Sequence, residues 1–255
     1  MQLADTHTHL YLPEFDSDRD EMIGRAVASD VVKLLMPNID LHSVDAMLPA
    51  AEKYKGICFP MIGLHPTSVR KDYPDQLEKL EGLFAGHKFV AIGEIGVDMY
   101  WDLTYLKEQT EAFRRQVAFA IKTGLPVVIH SRKSFKEIIY VLDDFRGEKL
   151  TGVFHAFSGN LQDAEKAVSM GFRLGIGGPL TYKNSGLESI VKEIGIEHLI
   201  LETDSPYLTP EPHRGKRNES SYICIINKKL AEILGKTEEE TAAVTYENSC
   251  RLFNI

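Results

Sequence analysis

Histidines and carboxylates recur in this chain at spacings that suit metal binding. His7 and His9 are separated by one residue, and Asp5 stands two residues before His7. Glu94 and Asp98, His130 and Arg132, and Glu202 and Asp204 repeat the even spacing, while His65 and His155 stand alone. On an extended strand, residues i, i+2 and i+4 share a face. If that face points inward, His7, His9, Glu94, His130, His155 and Asp204 converge on one cavity. Imidazole nitrogen with carboxylate oxygen suits zinc, manganese, nickel, cobalt or iron. A carboxylate between two such ions holds them about 3.5–4 Å apart, where one hydroxide is shared. Six such groups buried without metal would be costly to satisfy. Asp5 and Glu202 fall one layer deeper, where they would orient the ligands.

The elements that must carry these residues are short. Apolar, β-branched runs end in polar or Gly/Pro residues near Asp5, Pro37, His65, Glu94, His130, His155, Gly177 and Asp204. Between them lie stretches of helical period. In 105–123, Phe113, Val117, Ala120 and Ile121 share a face, and Gly124 is a natural C-terminal cap. Asn160 before Leu161–Met170, then Gly171, predicts another capped helix. Strands alternating with helices imply a parallel sheet, and eight such units close into a (β/α)8 TIM barrel, here one α/β domain over residues 1–255. Residues 221–255 supply a last helix or two. An open doubly wound sheet is the alternative, but it wants a Gly-rich first turn, and none follows Asp5. In a barrel the active site lies at the C-terminal strand ends, where the polar residues cluster. The run Gly175-Ile176-Gly177-Gly178 lacks the Lys-Ser/Thr of a phosphate loop and reads as close backbone approach.

Composition narrows the partners. With 44% hydrophobic residues in 255, the chain can bury one substantial core, and its net charge of −8 excludes a general nucleic-acid coat protein. Phosphate chemistry then requires local positive charge or metal. Cys58, Cys224 and Cys250 form no CxxC pair, and their odd number argues against a disulfide framework. They read as reduced thiols in a cytoplasmic protein. The first residues show neither a basic region nor an apolar signal core, and no window approaches the roughly 20 apolar residues of a membrane span. The expectation is a cytoplasmic protein without membrane contact, with a monomer the simplest state.

Several motifs together resemble a known family. They are Asp5-Thr6-His7-Thr8-His9-Leu10, Gly63-Leu64-His65-Pro66, Gly93-Glu94-Ile95-Gly96-Val97-Asp98, Pro126-Val127-Val128-Ile129-His130-Ser131-Arg132, Phe154-His155-Ala156-Phe157-Ser158-Gly159 and Glu202-Thr203-Asp204-Ser205-Pro206-Tyr207-Leu208. In this order they resemble the TatD family of metal-dependent deoxyribonucleases, within the amidohydrolase-like barrels. The resemblance implies that His7, His9 and Asp204 bind a first divalent ion, that Glu94 bridges, and that His130 and His155 bind a second. Zinc, magnesium, manganese or nickel would serve. It also implies hydrolysis of DNA phosphodiesters, often trimming single strands from the 3′ end, with Asp204 handling the proton of the attacking water. The stretch Met99-Tyr100-Trp101-Asp102 departs from the family, many members of which carry an Arg close behind the Asp.

Substrate contacts follow from charge. His65, Arg132 and Lys183 are placed at the ends of strands three, five and seven, where they could hold phosphate oxygens of DNA or a small phosphodiester. The run His213-Arg214-Gly215-Lys216-Arg217 adds positive potential, with Arg214 a candidate phosphate contact. Trp101 and Tyr100 could stack on a base or pack the rim. The alternative activity is that of an amidohydrolase or aminoacyl-tRNA deacylase acting on C–N or ester bonds. Related barrels of that kind commonly bridge metals with a modified Lys where this chain has Glu94.

Overall fold

The computed structural model describes residues 1–255. Eight parallel strands alternate with helices: β1 (Leu3–Asp5), α1 (Arg19–Ala28), β2 (Val31–Met36), α2 (Leu41–Lys53), β3 (Cys58–Pro60), α3 (Tyr73–Leu83), β4 (Ile92–Asp98) and α4 (Leu106–Thr123). There follow β5 (Val127–Arg132), α5 (Phe135–Asp143), β6 (Gly152–Phe154), α6 (Leu161–Ser169), β7 (Phe172–Ile176), α7 (Leu187–Ile194), β8 (Leu199–Leu201), α8 (Ile223–Leu234) and α9 (Glu238–Phe253). Strands β1–β3 pair in order, as do β4–β8. Single parallel bridges join the two sets, Ile62 to Ile92 and Thr8 to Ser205, so the order becomes the ring of a TIM barrel.

Local sequence explains the helix ends. Gly124 closes α4 in the left-handed conformation at φ 70°, and Asn160 forms a reciprocal capping box with Asp163 at the start of α6. The predicted ends of these helices lie within a residue of those observed.

Strand parity sorts the core. Leu35, Met61, Ala91, Val128, Val153 and Ile200 pack together inside the ring, and Phe253 of α9 packs with them. Ile92, Ile95, Val97, Val127, Ile129 and Phe154 face the helices in the larger core. Two residues beyond Val128, Val153 and Ile200, the same inward parity delivers His130, His155 and Glu202. β4 obeys a different rule. Its register with β5 shifts between Ile92 and Ile95, so Ile92 and Ile95 both face outward despite their odd spacing, and Glu94 is aimed inward.

Candidate metal centre

Five imidazoles surround one buried carboxylate. Glu94 is 3% exposed, and its two oxygens meet different partners. Oε2 lies 3.2 Å from His7 Nε2 and 3.8 Å from His9 Nε2, and these nitrogens lie 3.7 and 3.5 Å from Asp204 Oδ1. Oε1 lies 2.7 Å from His130 Nδ1, 3.2 Å from His65 Nε2 and 3.3 Å from His155 Nε2. Three sets of side chains offer atoms within 4.8 Å of one another, close enough to hold an ion: His7, His9 and Glu94; His7, His155 and Asp204; and His65, Glu94 and His130.

The outer hydrogen bonds decide what each ring presents to Glu94. Tyr11 donates its hydroxyl proton to Pro37 O at 2.7 Å, so at 3.0 Å it must accept from His9 Nδ1. That leaves a lone pair on His9 Nε2 in the neutral ring. His155 Nδ1 donates to Glu202 Oε1 at 3.1 Å, and His130 Nε2 donates to Asp98 Oδ2 at 2.8 Å. In the neutral rings their inward nitrogens therefore also carry lone pairs. His65 is the reverse: its Nδ1 accepts from the Thr67 backbone N–H at 3.1 Å, so Nε2 carries the proton. Sorted this way, His9, His130 and His155 are electron-pair donors toward the cavity and His65 is a hydrogen-bond donor.

The electrostatics ask for positive charge at the centre. Burial pushes the Glu94 carboxyl up, but the charges of His65, His155 and His7 outweigh it and hold the group well below its ordinary range. Burial lowers His155, and the charges of Glu94 and Glu202 raise it well above the ordinary imidazole value. Burial lowers His130 too, and its hydrogen bonds to Asp98 and Glu94 with the charge of Glu94 outweigh that and raise it. His7 and His65 move down, chiefly by burial. A neutral His130 would point a lone pair at Glu94 Oε1 across 2.7 Å, an arrangement that needs a proton or a cation between the two atoms. His7 Nδ1 is buried without any hydrogen-bond partner. Such an orphan costs about 1–3 kcal/mol, which a ligand bond at Nε2 can offset. The donor set therefore fits divalent cations.

A deeper layer fixes these groups. Asp5 accepts from the Thr203 N–H at 2.9 Å, the Thr203 hydroxyl at 2.6 Å and the His7 N–H at 3.3 Å. Burial pushes its carboxyl up to about 7 against those bonds. Glu202 also accepts from the Ala156 N–H at 2.6 Å. A Cβ on Gly175 would collide with the Glu202 carboxylate, so close approach explains this glycine. Asp204 and Ala156 follow their strands in left-handed backbone, at φ 56° and 42°. Strain of this kind concentrates at functional sites.

The remaining sequence candidates separate. Arg132 lines the same 590 Å³ cavity as Glu94, His130 and Asp204. Lys183 lies seven residues beyond β7, in a separate cavity with Lys192 and Lys229. Arg214 stacks on Tyr182 with its Cζ 4.4 Å from the ring centre, and Arg217 pairs with Asp18 at 2.7 Å. None of these three lines the cavity around Glu94. Two contacts escaped the sequence reading, the bond between His130 and Asp98 and that between His9 and Tyr11. Asp98 bonds His130 while its other oxygen caps the Tyr100 and Trp101 N–H groups. Tyr11 orients His9 and continues the parity of His7 and His9, which was the available signal.

Comparison with known proteins agrees with this geometry. The family model described as TatD related DNase matches residues 4–254. The chain is 38% identical over 254 residues to the uncharacterized metal-dependent hydrolase YabD of Bacillus subtilis strain 168, covering 99% of each chain. It is 32% identical over 246 residues to the 3'-5' ssDNA/RNA exonuclease TatD of Cronobacter sakazakii, covering 94% of this chain and 93% of that one. The crystal structure of the TatD homologue YjjV from Escherichia coli K12 superposes with a TM-score of 0.93 at 30% identity, covering 99% of this chain and 98% of that one. With a family model matched from residue 4 to residue 254, the chain belongs to the TatD family of metal-dependent hydrolases.

Proposed function

We propose that this protein hydrolyses phosphodiester bonds of single-stranded nucleic acid with two divalent metal ions, removing nucleotides from the 3′ end. The observation that carries the reading is the division of donors around Glu94. His7, His9 and Asp204 gather at one oxygen, and His130 and His155 at the other. These residues, with Glu94, would hold the two ions. When bound, two such ions lower the pKa of water and neutralise charge on a phosphoryl group.

The chain's own groups do the rest. Asp204 is held ionised: burial raises its carboxyl, and the approach of His9 with the charges of His155 and His7 outweighs that and leaves it depressed. An ionised carboxylate at the cavity wall can take the proton of the attacking water. His65 directs an N–H inward and donates to a phosphate oxygen. Arg132, at the cavity rim, supplies a forked cationic donor to a second. The 3′ polarity and the nucleic-acid substrate are supported by the Cronobacter sakazakii relative's name.

The test is direct. Purified protein, stripped and reloaded with zinc, magnesium, manganese or nickel, is incubated with single-stranded DNA labelled at the 5′ or the 3′ end. A 5′-labelled ladder shortening one nucleotide at a time is expected. Hydrolysis of cyclic amides or aminoacyl esters, with DNA left intact under every metal, would overturn the assignment.

A further inference from the structure

The cavity around Glu94 opens into a second space. A groove of about 750 Å³ runs between the loops after β5 and β6, and it shares Ser131, Arg132, His155 and Ser158 with the Glu94 cavity. Arg132, Lys133 and Lys136 line it. Two carboxylates share the lining, Glu137 and Asp163, and Asp163 is engaged in the cap of α6. Positive charge therefore prevails in this groove of an otherwise acidic protein.

The cations here lack carboxylate partners. Arg19, Arg25, Arg114, Arg115, Arg146, Arg217 and Arg251 all make ion pairs. Arg132 makes none and instead stacks on aromatic rings, 3.9 Å from the Tyr100 ring centre and 5.2 Å from that of Trp101. Lys133 Nζ lies 4.9 Å from the Tyr100 centre. Tyr100 is 46% exposed and Trp101 68%, and the two rings meet edge to face. Trp101 lines the Glu94 cavity and Tyr100 lines the groove, so together with Arg132 they form the lip between the two spaces.

This lip is held in place. The Arg132 carbonyl accepts from the Met99 N–H at 2.9 Å, and the Arg132 N–H donates to Ser134 Oγ at 3.1 Å. Ser134 is fully buried and donates in turn to Val97 O. Exposed aromatic faces interleaved with unpaired cations are how proteins hold single-stranded nucleic acid: bases stack and phosphates meet charge.

We propose that this groove carries the nucleotides next to the reacting one, with Trp101 stacking a base at the lip and Arg132, Lys133 and Lys136 meeting successive phosphates. The proposal rests on the nuclease reading above and adds the path of the strand beyond the site. It gives the protein a preference for oligonucleotides over dinucleotides.

The experiment compares kcat/KM on a 12-nucleotide single strand with that on a dinucleotide, for the wild type, Lys133→Gln/Lys136→Gln and Trp101→Ala. Binding of the labelled 12-mer to EDTA-treated protein is followed by fluorescence anisotropy across salt concentrations. The 12-mer to dinucleotide ratio is expected to fall about 10-fold in each variant, the stacking loss being set by the usual strength of base–aromatic contacts. The double lysine variant should also flatten the log–log salt slope of binding by about 1.4, since each phosphate contact on a single strand contributes about 0.7. A ratio and slope unchanged from wild type would overturn the groove while wild-type degradation of the 12-mer upheld the nuclease reading. A wild type that cleaves neither substrate under any metal would overturn both.

Discussion

His130 stands between two carboxylates, with Nδ1 2.7 Å from Glu94 Oε1 and Nε2 2.8 Å from Asp98 Oδ2. The bond to Asp98 fixes which nitrogen faces the cavity, as the bond from His155 Nδ1 to Glu202 does across the ring. Outer carboxylates of this kind raise the basicity of a ligand imidazole and hold its orientation. Asp98→Asn and Glu202→Gln keep an acceptor oxygen but lose the charge. Each is expected to weaken metal binding by about 10-fold, the lower end of the usual range. Competition titration with a chelating dye measures it, with circular dichroism as the check on folding. Affinities equal to wild type would remove the orienting role.

The sorting of histidines by hydrogen bonds makes a second prediction. His130→Ala or His155→Ala removes an inward lone pair from the Glu94 Oε1 side and should bring metal content from two ions toward one per chain. His65→Ala removes an inward N–H, so metal content should hold while KM for a phosphodiester rises. Elemental analysis of the three variants side by side separates the roles. Loss of an ion in His65→Ala would mean that its tautomer is the opposite of the one the Thr67 N–H selects.

Much of this arrangement is legible in the sequence because strand parity is rigid: a period of two leaves His7 and His9 only one shared face, and it carries Glu202 inward beyond Ile200. Asp204 lies past the end of β8 in left-handed backbone, where that parity no longer applies. Glu94 is less secure, since its inward aim depends on the register shift before Ile95, and a bulge has no unique sequence signature. Lys183 shows where proximity in sequence misleads. A turn and a 3-10 segment at Gly178–Thr181 follow β7 and lead the lysine to another cavity. Ion pairing is likewise invisible in a charge run. Arg217 sits in the same basic stretch as Arg214 yet is spent on Asp18.

That pairing has a pH signature. Glu219 sits between Arg25, at 2.7 Å, and Arg217, at 3.9 Å, and Asp18 bonds both arginines. Burial raises the Glu219 carboxyl, and the bonds from Arg25 and Ser221 with the charge of Arg25 outweigh it, leaving it depressed. The bonds from Arg217 and Arg25 depress Asp18. A depressed carboxyl stabilises the fold above its unfolded pKa, near 4, and that stability is lost as pH falls through the folded value. Arg25 is 44% exposed, so the contribution is no more than about 1 kcal/mol. Arg25→Met should lower the melting temperature at pH 7, and the gap from wild type should close as pH falls below 4. Thermal unfolding from pH 7 to 3 measures it. A constant gap would show that Arg25 acts through packing alone.

Glu94 and Asp204 both place carboxylates in the cavity, but their surroundings assign them different work. Glu94 is 3% exposed and meets imidazoles on both oxygens, so Glu94→Gln removes the negative charge that would offset two cations and leaves one good oxygen donor. Metal content and turnover should fall together. The Asp204 side chain is 14% exposed and reaches His7 and His9 through Oδ1, with His155 close by. An amide at this position can still coordinate weakly, so Asp204→Asn should keep its fold and much of its metal. It cannot accept the proton of the attacking water, and its rate should fall by about 10² or more, the usual range for losing a general base. The measurement is metal content, circular dichroism and turnover of a model phosphodiester for both variants side by side. Near-normal turnover in Asp204→Asn would refute the proton role and leave Asp204 as a ligand only.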